Sequence, residues 1–311
     1  MRSEVQATGS HPGTAGFERF RALVEESLLG YLSAEVCPIP APLREAMEYS
    51  LTSGGKRIRP VLLLSSGAAV GGAEKDLLPF ACAVEYVHTY SLIHDDLPAM
   101  DDDDFRRGRP SCHRAFGEAA AILAGDALLT EAFRVMGESP LARREPSRVV
   151  RASALLARAA GASGMAGGQM MDLHPPTREG SAGPAIASDI EEIDLRKTAA
   201  LLSASAAMGG ILGGGTGEQV EALSRFGRAL GLLFQITDDI LDETGSFEEM
   251  GKAVAKDRER GKLTYPAALG MAAAAARAES LRRESLGAVS GFGEEAEILR
   301  ELVRMVATRR A

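Results

Sequence analysis

LLPFACAVEYVHTYSLIHDDLPAMDDDDFRRGRP, residues 77–110, carries both the fold class and the chemistry of this chain. Its first half, Leu77 to Ile93, repeats apolar residues at helical spacing. Its second half crowds Asp95 and Asp96 against Asp101, Asp102, Asp103 and Asp104. Adjacent carboxylates repel by about 1 kcal/mol at ~4 Å in water, and by ~4 kcal/mol at a protein-like dielectric. A merely solvated surface would intersperse lysines. Hard divalent cations, which take oxygen ligands and bridge to phosphate, would account for such a concentration of charge. A second cluster, Asp238, Asp239 and Asp242 in FQITDDILD (residues 234–242), also lies inside apolar, helical-looking sequence.

Outward from these two stretches the helical pattern continues. Phe17, Phe20, Leu23 and Val24 recur at helical spacing, as do apolar positions from Ala119 to Met136, Val149 to Ala160 and Val220 to Leu241. Alternating β-branched runs are essentially missing. Breaks at Pro38-Ile39-Pro40, Gly71-Gly72, Gly137 to Pro146, Pro175 to Pro184 and Gly209 to Gly217 are loop-sized. The expected fold is therefore all-α: one helical domain over residues 17–311, behind a polar tail, residues 1–16, expected to be disordered. The tail lacks the apolar stretch of a signal peptide. Thr198 to Gly217 carries no formal charge and is long enough to span a bilayer. It is also rich in Ser, Thr and Gly, so a buried core helix ending in a glycine turn is expected, with no membrane span. A net charge of −8 and a pI near 5.3 argue against nucleic acid as a partner. Three cysteines, Cys37, Cys82 and Cys112, form neither a disulfide framework nor a CxxC pattern, which points to a reducing cytoplasm.

Asp238 and Asp242 stand one helical turn apart and share a face, with Asp239 rotated away. Such a pair can hold a cation or form an exposed acidic stripe. Asp95 and Asp101 would lie ~120° apart on an unbroken helix. Pro98 between them disfavours one, and a local bulge would swing Asp101 back toward Asp95. His88, Ser91 and Asp95 line one stripe of the same helix. Arg106-Arg107 either binds phosphate in bidentate fashion or neutralises the aspartates. SGGKRIRP, residues 53–60, sets Lys56, Arg57 and Arg59 after a glycine turn, as a second diphosphate cradle or a solvated basic turn. Weaker singly are Gln169 and Asp172 in GGQMMDL, Lys197 and Thr198 in RKTAALL, Gln235 one turn before Asp238, and Lys252, Lys256 and Lys262.

In order along the chain, GGKRIRP, HTYSLIHDDLPAMDDDDFRRGRPSCH, FGEAAAILAGDALL, GGQMMDL, KTAALL, FQITDDILD and GKLTYPAALG resemble the trans-isoprenyl diphosphate synthases (polyprenyl synthetases), most closely the bacterial short-chain farnesyl diphosphate type. The resemblance implies an isoprenoid-synthase-type bundle of long helices around a deep central cavity, assembled as a homodimer. It implies a prenyltransferase that depends on Mg2+, in a three-ion cluster when allylic diphosphate is bound. That enzyme would condense isopentenyl diphosphate head-to-tail with dimethylallyl and then geranyl diphosphate to give farnesyl diphosphate. A geranylgeranyl product, or a non-catalytic subunit of a heteromeric synthase, are the alternatives. By the same resemblance Asp95, Asp101 and Asp238 bind metal, supported by Asp242 and Asp172. Arg106, Lys197, Lys252 and Lys262 contact the allylic diphosphate, while Lys56, Arg59, His88 and Arg107 hold isopentenyl diphosphate. Thr198 and Gln235 line the reacting centre. The catalytic set is thus Asp95, Asp101, Arg106, Lys197, Thr198, Gln235 and Asp238. The resemblance further implies that Tyr90 and Ser91, just ahead of Asp95, help form the floor that sets chain length, with the Tyr90 ring stopping growth at fifteen carbons.

Overall fold

The computed structural model describes residues 12–33, 35–36, 38–174, 184–244 and 264–309. Within these the chain is helical, as the periodicity requires. Four helices form the first half of the bundle: α1 (Pro12–Leu28), α2 (Ala41–Leu51), α3 (Ile58–Ala68) and α4 (Glu74–Asp95). α5 (Cys112–Phe116), α6 (Glu118–Glu138), α7 (Pro140–Arg144), α8 (Pro146–Ala160) and α9 (Met165–Leu173) follow. α10 (Pro184–Asp194), α11 (Ala200–Gly213), α12 (Gly217–Thr244), α13 (Tyr265–Leu269), α14 (Met271–Ala288) and α15 (Glu297–Ala307) complete it. Among the described residues the one departure into strand is a two-residue antiparallel ribbon, Phe105–Arg106 against Arg109–Pro110, which closes the loop after the first aspartate cluster. Its strands are too short for the alternation that reveals strands in sequence.

α3 and α11 pack against each other at the centre, flanked by α4, α8 and α12. Val61, Leu62, Leu63 and Leu64 on α3 are fully buried, as are Leu201, Ala206 and Met208 on α11. A helix that is apolar around its whole circumference belongs in a core, and α11 is the uncharged stretch read as one. It ends where expected, on Gly214 in the left-handed conformation at φ 86°. Among the described residues no helix is long and apolar enough to cross a membrane. Truncating a buried leucine on α3 or α11 to alanine costs about 2–5 kcal/mol of stability. α1 runs from Pro12, ahead of the Phe17 where the apolar repeat becomes legible. α15 buries Leu299, Leu302, Val303 and Val306 and packs on α1, α12 and α14, so the chain beyond it is delivered to the end of α12.

Candidate active site

α4 carries His88, Ser91 and Asp95 and stops at the first aspartate pair. Beyond Pro98 the backbone doubles back: the Asp101 N–H donates to the Asp95 carbonyl at 2.8 Å and the Asp102 N–H to the Leu97 carbonyl at 3.1 Å. Asp102 adopts a left-handed φ of 49° to make this turn. Asp101 therefore returns to Asp95, as the proline suggested. Burial pushes the Asp95 carboxyl up to about 6; Lys197 opposes the shift and Asp101 reinforces it. Asp96, almost fully buried, accepts from Arg106 Nε at 2.8 and 2.9 Å and from Nη2 at 2.5 Å. In this structure Arg106 thus neutralises an aspartate. Burial disfavours its charge, but the Asp96 bond together with the negative charges of Asp96, Asp95 and Asp103 outweighs that and raises its pKa. Asp104 pairs with Arg114 at 3.1 Å on the exposed side.

The second cluster sits within α12, near its C-terminal end. Asp238 faces Arg309, whose Nη1 lies 2.5 Å from Oδ1, and Arg309 also stacks 4.4 Å above the Phe234 ring. Burial raises the Asp238 carboxyl to about 6; Arg309 is the largest opposing influence, and neighbouring Asp242 adds to the rise. Asp239 turns inward, as its rotation required, and is 4% exposed. It accepts from Gln235 Nε2 at 3.2 Å and from the Tyr265 N–H at 3.1 Å. Gln235 in turn accepts from Thr198 Oγ1 at 3.3 Å.

Thr198 and Lys197 belong to a π-helical turn, Leu195–Ala199, between α10 and α11. Lys197 reaches Asp172 Oδ2 at 2.5 Å while Thr198 reaches across to α12. In an α-helix two successive side chains diverge by ~100°, and the wider turn lets both serve the site. Two glycines make room for it. A Cβ on Gly168 would collide with the Lys197 backbone, and one on Gly231 would come within 2.5 Å of Ala199.

Two cavities meet here. One, of about 440 Å³, is lined by Lys56, Arg57, Arg59, His88, Arg107 and Arg309 over an apolar strip of Ile58, Leu202 and Phe234. Its basic turn is anchored from beneath. Arg57, at a left-handed φ of 51°, points inward to Glu85 at 2.6 Å and to the Leu51 carbonyl at 2.6 Å. Gly55 leaves space for the Arg107 guanidinium, which donates to the Gly54 carbonyl. Arg107 thus turns away from the aspartates toward this turn. Arg59 Nη1 lies 3.3 Å from His88 Nε2. Burial, then the surrounding guanidiniums, hold the His88 imidazole well below its usual pKa, so it is neutral near pH 7 and accepts from Arg59. Burial also lowers Arg59, to about 10, and Lys56.

The second cavity, of about 320 Å³, shares Arg59 and His88 with the first. Its walls add Tyr90, Ser91, Asp95, Lys197 and Thr198 to the apolar Met100, Met165, Met170 and Leu173. Gln169 also lines it, 8% exposed, with neither amide oxygen nor amide nitrogen partnered. Buried amides in that state call for a ligand or water.

The structure therefore brings Lys56, Arg59, His88 and Arg107 around one cavity, and Tyr90, Ser91, Asp95, Lys197 and Thr198 around the next. Lys252 and Lys262 lie outside the described residues. Arg309 and Glu85 were missed from the sequence, and Asp96 was named there only as a member of the first cluster. Glu85 had a visible signal, a lone carboxylate within the apolar run of α4; Arg309 had none, being 71 residues from its partner.

Among the described residues no group of three or more His, Cys, Asp and Glu side chains is assembled for a metal. The donor chemistry nonetheless fits a hard cation. Asp95 beside Asp101, and Asp238 beside Asp242, are carboxyls whose charge burial disfavours. Basic side chains already stand against the neighbouring carboxylates Asp96, Asp172 and Asp238.

The fold and site define a helical enzyme in which a cation-lined cavity adjoins a carboxylate-bearing, largely apolar one. Comparison with known proteins is specific. The polyprenyl synthetase family profile matches residues 40–305, and the chain belongs to that family. It is 46% identical over 288 residues to chloroplastic geranylgeranyl pyrophosphate synthase 3 of Arabidopsis thaliana, spanning 91% of this chain and 78% of that one. An FPP/GFPP synthase from Zymomonas mobilis superposes with a TM-score of 0.81 at 32% identity, covering 95% and 99% of the two chains. The geranylgeranyl pyrophosphate synthetase of Pyrococcus horikoshii gives 0.83 at 29% identity, covering 96% and 98%. The protein is a trans-prenyltransferase with the all-α isoprenoid synthase fold. The family typically uses Mg2+ and prenyl diphosphate substrates.

Proposed function

We propose that the enzyme condenses isopentenyl diphosphate with allylic diphosphates and releases geranylgeranyl diphosphate. The observation that carries the reaction is the pair of cavities joined at Arg59 and His88, one lined by cations and one by Asp95 and apolar walls. Lys56, Arg59, His88 and Arg107 hold the diphosphate of the isopentenyl substrate, whose short hydrocarbon part rests on Ile58, Leu202 and Phe234. Asp95, Asp101 and Asp238, with Asp172 and Asp242 in support, would hold Mg2+, which neutralises the charge that develops on the departing allylic diphosphate. Lys197 and Arg106 supply fixed positive charge for the same leaving group once released from Asp172 and Asp96; Lys252 and Lys262 join them. As the allylic C–O bond breaks, the electron pair leaves with the diphosphate. Thr198 and Gln235 turn oxygen dipoles toward the allylic cation, and the methionine-rich wall excludes the water that would quench it. The isopentenyl double bond then forms the new C–C bond, and the adjacent proton leaves to the released diphosphate.

Twenty carbons is preferred to fifteen because a relative sharing 46% of its residues bears the geranylgeranyl name. A farnesyl product is the second reading, favoured by Tyr90 in the wall of the elongation cavity. Incubation with Mg2+, isopentenyl diphosphate and each allylic diphosphate, followed by measurement of product length, tests both readings. A C20 product from a farnesyl primer is expected, arrest at C15 would restore the farnesyl reading, and no condensation at all would remove the activity. A homodimer is part of this proposal, as is a reducing compartment such as the cytoplasm, where Cys82 and Cys112 remain free and buried. The Arabidopsis thaliana relative, by its name, is chloroplastic.

A further inference from the structure

Three carboxylates around the site are met by basic side chains, and in two of the pairs the basic partner lies close by in the motifs already assigned. The third partner comes from elsewhere. Arg309 follows α15 and crosses to α12, where its guanidinium stacks on Phe234 and bonds Asp238 Oδ1 at 2.5 Å. The same side chain lines the cationic cavity with Lys56, Arg59, His88 and Arg107. One arginine therefore stands on the boundary between a carboxylate suited to a divalent cation and a cavity suited to an anion.

We propose that Arg309 is a tethered counter-ion that occupies the cation position at Asp238 in the free enzyme and yields it when a divalent cation binds. Arg309 bonds Asp238 Oδ1, so a metal ion that takes that oxygen must displace the guanidinium from it. Displacement leaves Arg309 beside a cavity already holding several positive groups, where an anion relieves the repulsion. Metal at Asp238 and diphosphate in the cationic cavity then favour each other, and linkage makes the effect equal in both directions. The identity of the anion rests on the prenyltransferase reading; the competition at Asp238 does not.

The test uses the full chain without allylic substrate, so turnover plays no part. Mn2+ binding is followed by loss of the free-ion electron paramagnetic resonance signal, with and without isopentenyl diphosphate, against protein-free controls. Breaking a partly exposed ion pair is worth ~1 kcal/mol, so Arg309→Gln should bind Mn2+ about fivefold more tightly than wild type. Arg309→Lys, which keeps the charge, should stay near the wild type. Isopentenyl diphosphate should tighten Mn2+ binding in the wild type and much less in Arg309→Gln. In an Asp238→Asn background, Arg309→Gln should have no effect. Equal Mn2+ affinity in Arg309→Gln and wild type would overturn the proposal, as would a full effect persisting in Asp238→Asn. An enzyme that fails to condense its substrates yet shows the Mn2+ competition would lose the proposed function and keep the counter-ion.

Discussion

The cationic cavity and the carboxylate cavity share a wall but are prepared differently. In the first, charges are locked before any ligand arrives: Arg57 is pinned by Glu85 and Leu51, and Arg107 by the Gly54 carbonyl. In the second, groups wait. Asp95 sits where burial disfavours its charge, Gln169 has no partner, and Lys197 is engaged with Asp172. Repulsion among positive groups in the first leaves it short of negative charge, and disfavoured carboxylate charge in the second leaves it short of positive charge. On the proposed function, a diphosphate would serve the first and a metal–diphosphate assembly the second.

The sharpest way to break this contrast is to remove the waiting carboxylates. Asp95→Ala or Asp238→Ala should lower turnover by about a thousandfold or more, since several kcal/mol of charge stabilisation is lost. Circular dichroism should show the fold intact, and near-normal kinetics would exclude that residue from the metal site. Removing a locked cation should act on binding instead. Arg107→Gln is expected to raise KM for isopentenyl diphosphate by roughly ten- to a hundredfold, the value of one or two charge-assisted bonds. Steady-state kinetics with each substrate varied in turn will show whether the allylic KM moves less, as separate cavities require. Tyr90→Ala should shift the product toward longer chains without loss of total condensation, and an unchanged chromatographic profile would show that Tyr90 does not limit growth.

The smallest effect separates the cavities by pH. Asp95 and Asp238 have folded pKa values near 6, above the ~3.9 of an unfolded aspartate. Each binds its proton more tightly when folded, so its contribution to stability is complete below ~3.9 and is lost as pH rises through about 6. The metal-free protein should therefore melt lower at pH 7.5 than at pH 5. Divalent cations require the charged carboxylates, so Mg2+ should raise the melting temperature by a few degrees at pH 7.5 and little at pH 5. Thermal scans at both pH values check this, and a Mg2+ shift equal at both would sink it.

Much of this contrast was legible in the sequence, where the signal was local. Pro98 inside the first cluster forecast the return of Asp101 to Asp95, and the uncharged run after Thr198 forecast α11. Paired glycines before Lys56 forecast a turn, though not that Arg57 would point into the protein toward a glutamate 28 residues away. What remained hidden depends on distant elements meeting. The Tyr265 N–H on Asp239 and the Arg309 guanidinium on Asp238 arise from chain 26 and 71 residues downstream, and no spacing rule reaches that far. Gln169 was visible as a polar residue, but its isolation is a property of the packed walls around it.

The π-helical turn at Leu195–Ala199 has a consequence for how this sequence can change. It holds a residue more than an α-helix would need over the same rise. Deleting one residue there would restore a regular helix, and because a π turn absorbs its extra residue, the helix beyond it would keep nearly its present orientation. The buried faces of α11 would still meet α3 and α12. Lys197 and Thr198 would lose the turn that lets one reach Asp172 while the other reaches Gln235. A one-residue deletion here should therefore spare the packing and strike the site, so the extra residue serves the placement of two side chains rather than the stability of the bundle.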